Sequence, residues 1–257
     1  MSNTEPSIAE LKGEILPALF RSPATIGQYG AGMSGADSLN QLSNLMEGGA
    51  VTELAEKIGL IVAKLTDADP RRIAEKPTWF EKLLGREVER RVRYQVARKS
   101  LDQLMDEAEG VAKRVRDTLR ALDGMLETHA GEVSRLQAYI QAGREFLDEN
   151  PDAGAAKAGV IEFDKPRERF ARKLANLATL LSSHEMSVTQ MSLTRAQAVD
   201  MLDRFSETAS VLVPVWRQHT LALITTKNMS PTMVAEASKA HQALMRSLTQ
   251  SLEGISH

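Results

Sequence analysis

Residues 170–223 read FARKLANLATLLSSHEMSVTQMSLTRAQAVDMLDRFSETASVLVPVWRQHTLAL, and this stretch decides the fold. Alternate steps of four and three from Phe170 reach Leu174, Leu177, Leu181, His184, Val188, Met191, Arg195, Ala198, Leu202, Phe205, Ala209, Leu212, Trp216, His219 and Leu223. Only Arg195 and the two histidines interrupt an apolar row. A row repeating every 3.5 residues lies on one side of a helix and is buried only against other helices. At about 1.5 Å per residue such a helix is roughly 80 Å long, which predicts an elongated bundle or coiled coil. Pro214 lacks an amide donor and its ring crowds the preceding turn, so a kink is expected there, freeing the Ser210 carbonyl.

A second seam precedes it, through Leu101, Leu104, Ala108, Val111, Val115, Leu119, Leu122, Leu126, His129, Val133, Leu136, Ile140, Gly143 and Leu147. The two successive steps of four from Val111 to Leu119 are a stutter, which locally unwinds a supercoil. Gly124 and Gly131 offer places for a bend. Asn150-Pro151-Asp152-Ala153-Gly154 ends the helix, and the loop to about Asp164 lets the chain reverse, so the two long helices pack antiparallel. Ser230-Pro231 starts a last helix with Val234, Ala237, His241, Leu244, Leu248 and Leu252 on one face.

Upstream, Ile8, Leu11, Ile15 and Leu19 mark a short amphipathic helix that Pro17 ends or bends, and Ser22 to Ser34 reads as loop. Leu39, Leu42 and Leu45, then Leu54, Ile58, Ile61 and Leu65, form a helical pair. Asp69-Pro70 is a helix start, and Trp79, Phe80, Leu83 and Leu84 form an apolar knot suited to plugging the bundle end. The expected organisation is therefore all-α. Residues 1–35 are a poorly patterned segment, 36–85 a short-helix subdomain, and 86–257 a long antiparallel bundle with helices near 86–149, 167–227 and 231–252.

Composition narrows the function. The net charge of −2 gives no global field for nucleic acid or anionic lipid, and no basic-aromatic platform appears. Without cysteine there is no thiol nucleophile, thiolate metal site or thiol-based reduction. The first residues lack the basic and apolar blocks of a signal peptide, and no run of 18 apolar residues exists, so a cytoplasmic protein is expected. Phosphate loops, metalloprotease helices and nucleophile elbows are missing. The reading is therefore of a protein that is not an enzyme, with no catalytic residue, metal set or cofactor assigned.

Three features could still carry function, each beside a plainer alternative. His129, His184, His219 and His241 fall on core rows of three helices; they form a metal- or oxyanion-binding layer, or they are polar breaks that set register. His184 and His219 are roughly 50 Å apart by helical rise and cannot share a site. Two basic clusters, one with Arg90, Arg91 and Arg93 and one with Arg167, Arg169 and Arg172, could hold an oxyanion, a phosphate or a lipid headgroup. The plainer alternative pairs them with Glu87, Glu89 and Glu168 on a solvated face. The kinked stretch with Pro214, Trp216, Arg217 and Gln218 is either a notch for a partner or ligand, or a packing device filled by Trp216.

Gln190 to Gln218 resembles the toxic anion (tellurite) resistance family of the TelA type. Those proteins carry a Gln-Asn-Asn-like segment and then a helix closing in Ile-Pro-Leu-Trp-Lys-x-Gln. Pro214, Trp216 and Gln218 match, Arg217 stands for Lys, and Val213 and Val215 stand for Ile and Leu; the amide segment reads Arg195-Ala196-Gln197 instead. The resemblance extends more weakly from about Tyr29 to the C-terminus. It implies a non-enzymatic helical protein of stress resistance that works through protein partners. The rival readings are a coiled-coil scaffold peripheral to the inner membrane face in envelope stress, and a metal- or oxyanion-binding protein using the histidines. A homo-oligomer is also left open.

Overall fold

The structure is a computed structural model and describes residues 6–33, 49–67, 86–154, 165–225 and 230–253. Its elements are all helical: α1 (Ile8–Glu10), a π turn (Leu11–Ile15), α2 (Leu16–Arg21), a 3-10 helix (Pro23–Gln28), α3 (Ala50–Asp67), α4 (Arg86–Glu149), α5 (Pro166–Glu207), a second π turn (Thr208–Leu212), α6 (Val213–Thr225) and α7 (Pro231–Glu253). No strand occurs among the described residues, and the protein is an all-α helical bundle. No helix of the described residues is long and apolar enough to cross a membrane. Leu39, Leu42, Leu45, Asp69-Pro70, the Trp79–Leu84 knot and the loop at 155–164 lie outside the described residues.

The two long rows behave as their spacing demands. Along α5 and the π turn, Phe170, Leu177, His184, Met191, Ala198, Phe205 and Leu212 are all buried, one every seven residues. The alternate positions are less covered, and Arg195 is exposed, its Nε donating to Asp123 at 2.6 Å. At the stutter in α4, Ala108, Val111, Ala112 and Val115 are all buried, so the extra residue widens the apolar stripe.

The chain forms two compact units, each built from discontinuous stretches: Met1–Glu47 with Arg120–Arg195, and Gly48–Leu119 with Ala196–His257. The expected segments 1–35, 36–85 and 86–257 follow chain order, whereas α4 and α5 contribute residues to both units.

In the first unit, the N-terminal stretch packs on the antiparallel pair of α4 and α5. Ser7 caps α1 by a capping box: its Oγ accepts from the Glu10 amide at 3.2 Å, and the Glu10 carboxylate accepts from the Ser7 amide at 2.7 Å. Leu11, Leu16, Leu19, Ile26 and Tyr29 then pack with Leu136, Ile140, Phe146, Phe170, Leu174 and Leu177. Phe20 meets Phe146 and Phe170 at centroid distances of 5.3 and 5.4 Å. Lys12 reaches Glu145 at 2.8 Å and Glu149 at 2.5 Å. The segment read as poorly patterned is thus part of a core, because its apolar residues come from three short pieces with no shared period. Ser22–Ser34 holds a 3-10 helix where loop was expected, started by Pro23.

Pro17 does not end its helix. The Leu16 amide donates to the Leu11 carbonyl, five residues back, and α2 continues to Arg21. The same device recurs at Pro214, where the Val213 amide donates to the Thr208 carbonyl. A proline ring collides with the carbonyl four residues earlier; opening the preceding turn to a five-residue step makes room and lets the helix run on.

The second unit gathers residues of five helices around one core. Leu54, Ile58, Ile61 and Leu65 from α3 pack with Tyr94, Leu101 and Val115 of α4, Ala198 and Phe205 of α5, Trp216 of α6 and Met245 of α7. Ser230 caps α7, its Oγ accepting from the Met233 amide at 3.2 Å.

Candidate functional site

The stretch around Pro214 lies in the second unit. Trp216 is 1% exposed and stacks on Tyr94, with ring centroids 5.8 Å apart and planes 24° from parallel. Its indole is therefore enclosed by its own chain, and the notch with Trp216 as a gripping side chain is corrected to a packed core position. Arg217 is half-buried and its guanidinium pairs with Asp102, which Arg98 also approaches at 3.5 Å. These partners lie more than a hundred residues upstream, and no local pattern announced them. The π turn also rotates the seam: Thr208, Val213 and Thr220 are buried, whereas His219 is half-buried. His219 is thus not the core residue that strict heptad counting makes it: Trp216 keeps its place in the row, but with the residue inserted at the π turn Thr220 takes the next inward position.

What this stretch leaves outside is Pro214 and Gln218, both exposed, together with Val211 and Leu221 at 42% and 45%. Their spacing of three, four and three puts the four on one helix face. The buried face of the same helix is fixed by Trp216, and the Arg217–Asp102 pair holds its flank.

The basic candidates divide between the units. The side chains of Arg90 and Arg91 lie outside the described residues, and Arg93 is half-buried. In the first unit Arg167 donates to the carbonyls of Leu147 at 2.9 Å and Asn150 at 3.0 Å. It caps the end of α4, where backbone carbonyls are unpaired and a cation is favoured, so its guanidinium is occupied by protein rather than by an anion. Arg169 is half-buried and Arg172 exposed, while Glu168 takes Lys165 at 2.8 Å as its partner.

The histidines also separate. His241, in the second unit, donates from Nε2 to the Leu65 carbonyl at 3.3 Å. In the first unit His129 and His184 meet across α4 and α5, Nδ1 to Nδ1 at 2.9 Å, both 2% exposed. Burial holds His129 below its ordinary value, the neighbouring His184 lowers it further, and Glu132 acts the other way. Neither Nε2 has a hydrogen-bond partner among the described residues. No group of three or more His, Asp or Glu side chains among the described residues is placed to hold a metal ion. The expected layer of four histidines is therefore one pair, His241 on the Leu65 carbonyl, and the half-buried His219. A groove of about 610 Å³ also opens in this unit beside Glu14, Ile15, Leu19, Tyr29 and Tyr139. Sequence reading missed it, since its walls join the short N-terminal helices and turns to Tyr139 of α4, far apart in the chain.

The sequence model of the toxic anion resistance protein (TelA) family matches residues 20–251. Protein KlaA of Escherichia coli is 84% identical over 255 residues, covering 99% of this chain and 99% of its own length. No solved structure matches the chain. The Pro214–Gln218 stretch, buried on its tryptophan side and exposed on its proline side, thus sits inside a match that covers most of the sequence: the chain belongs to the TelA family of toxic anion resistance proteins.

Proposed function

We propose that this chain contributes to toxic anion resistance without catalysing a reaction, by presenting the Val211, Pro214, Gln218 and Leu221 face to a protein partner. The observation that carries the reading is the split character of the family-like stretch. Trp216 anchors it inward, while Pro214 and Gln218, which match the family motif equally, face solvent. A proline in mid-helix has no packing task there to explain it. Exposed apolar groups beside a polar amide make a surface of the kind that protein interfaces use.

The test is complementation of a deletion strain challenged with tellurite, paired with capture of partners by tagged protein. Val211→Asp with Leu221→Asp should leave the helical circular dichroism and melting temperature near wild type, yet lose both resistance and capture. Wild-type resistance in that variant refutes the surface. Reduction of tellurite by the purified protein with a supplied electron donor refutes the non-enzymatic part. Salt-sensitive flotation with anionic vesicles would favour a peripheral membrane scaffold instead.

A further inference from the structure

His129 and His184 are the most enclosed titratable pair in the first unit, and nothing above uses them. Two imidazole nitrogens at 2.9 Å need a proton between them, because two bare lone pairs at that distance repel. In the neutral pair one ring therefore carries Nδ1–H and donates, while the other carries its proton on Nε2 and accepts at Nδ1. A first added proton can enter at the donor ring's Nε2 and leave the bridge intact. A second must go to the accepting Nδ1, which then points an N–H at another N–H and sets two positive rings 4.9 Å apart, centroid to centroid.

We propose that the His129–His184 pair is a proton-operated latch between α4 and α5, closed while one proton bridges the rings and opened when acid forces protons onto both Nδ1 atoms. The surroundings fit that role. Leu122, Met125, Leu126, Val188 and Met191 form the apolar cluster next along the same helices, and beside it an added charge has little solvation. On α4 the ionisable neighbours are Glu132, which favours charge on His129, and Arg135, which lies 3.8 Å from Glu132. On α5 they are Glu185, exposed and held by Gln137 at 3.4 Å; the nearby Ser187 hydroxyl is spent on the Ser183 carbonyl. The N-terminal helices of the unit set Lys12 against Glu145 and Glu149, about four turns further along α4. One carboxylate can balance one added proton, and the second has no counter-charge of its own.

A metal is the competing occupant. Two nitrogens each about 2.0–2.1 Å from a tetrahedral zinc stand roughly 3.3 Å apart, wider than the observed gap. Ligating histidines also hold their other N–H on an acceptor, and neither Nε2 here has one among the described residues. The geometry is that of a shared proton.

The experiment uses the full chain, whose lack of cysteine allows spin labels at two chosen positions. Labels go on the exposed positions Glu127→Cys and Met186→Cys, flanking the pair. The label distance is measured between pH 7.5 and about pH 5, the range in which histidine charge changes, and the ring nitrogens are followed by long-range nitrogen–proton NMR. The expected result is a coupled titration, with the second proton entering well below the first, and a longer label distance appearing with that second proton. The same labels with His129→Leu and His184→Leu should show no acid response. Independent ordinary titrations of both histidines overturn the proposal. So does an unchanged distance with both rings charged, or stoichiometric zinc binding at the two Nδ1 atoms.

Discussion

At Gly143 the side chains of α5 press closely against the backbone of α4. A Cβ placed there would lie 2.5 Å from a Leu174 methyl and 3.1 Å from the Phe170 ring, so Gly143→Ala forces two core side chains to move. Overpacking of this kind costs about 1–3 kcal/mol, against a helix-propensity gain of about 1 kcal/mol; a net loss of stability is expected in urea unfolding. Gly124 and Gly110 face open space in the same helix, and Gly124→Ala should instead stabilise by up to about 1 kcal/mol. Trp216→Ala removes a filled core position stacked on Tyr94 and should cost about 3–5 kcal/mol. Loss of resistance in that variant would report unfolding, so a melting curve must accompany it. At Arg167, substitution by Met strips two charged hydrogen bonds from the carbonyls that end α4, and a loss of about 1–2 kcal/mol is expected, since the side chain is partly solvated. An unchanged urea midpoint in Arg167→Met would show that solvent satisfies those carbonyls as well as the guanidinium does.

At the scale of elements, the two π turns share one cause. Both end two residues before a proline, and both let a helix continue that the proline would otherwise break. Pro214→Ala supplies the missing amide donor and removes the ring clash, so the turn from Thr208 to Leu212 can close to a regular α step. Stability should be unchanged or higher by thermal melting. The seam after Leu212 would then rotate back by one residue, moving His219 toward the position that Thr220 now fills and turning the Val211–Leu221 face. If that face meets a partner, the folded variant loses resistance and capture; a folded Pro214→Ala with full tolerance and full capture would confine the bend to packing. Because little buried surface is removed, this substitution separates geometry from unfolding better than any change at Trp216.

For the whole molecule, the pH profile of stability follows from which groups are held away from their ordinary values. His129 is held low, so its contribution is complete above its unfolded value of 6.5 and is lost as the pH falls below that. Glu145, lowered first by its bond to Lys12, and Glu107, lowered first by its bond to Lys57, act in the same sense from 4.5 downward. Lys12 is raised by Glu145 and Glu149, so its contribution is present below 10.5 and lost as the pH climbs through its folded value. Burial pushes the Tyr29 hydroxyl up from 10, which makes alkaline conditions destabilising from that pH. Melting temperatures are therefore expected to be highest between pH 6.5 and 10, with the first loss on the acid side coming from His129. His129→Leu with His184→Leu should remove the loss between pH 6.5 and 5 while keeping the steeper carboxylate loss below 4.5. Identical acid profiles for that variant and wild type would assign the early loss elsewhere.

The sequence by itself determined the helical class, the long helices and their antiparallel pairing, because a 3.5-residue apolar period over many turns has no other way to be buried. It also placed the family resemblance on Pro214, Trp216 and Gln218. Tertiary structure decided the rest. Heptad counting put His219 in the core, but a single π turn before Pro214 shifted the register. Arg167 read as part of a basic cluster until the end of α4 lay against it, and Arg217 found Asp102 across 115 residues of chain. His129 and His184 read either as part of a ligand-binding layer or as polar breaks in their seams, and neither reading paired them with each other. Their 2.9 Å meeting depends on the stagger of two helices, and stagger is set by side-chain packing such as the Gly143–Leu174 approach, which no single seam records.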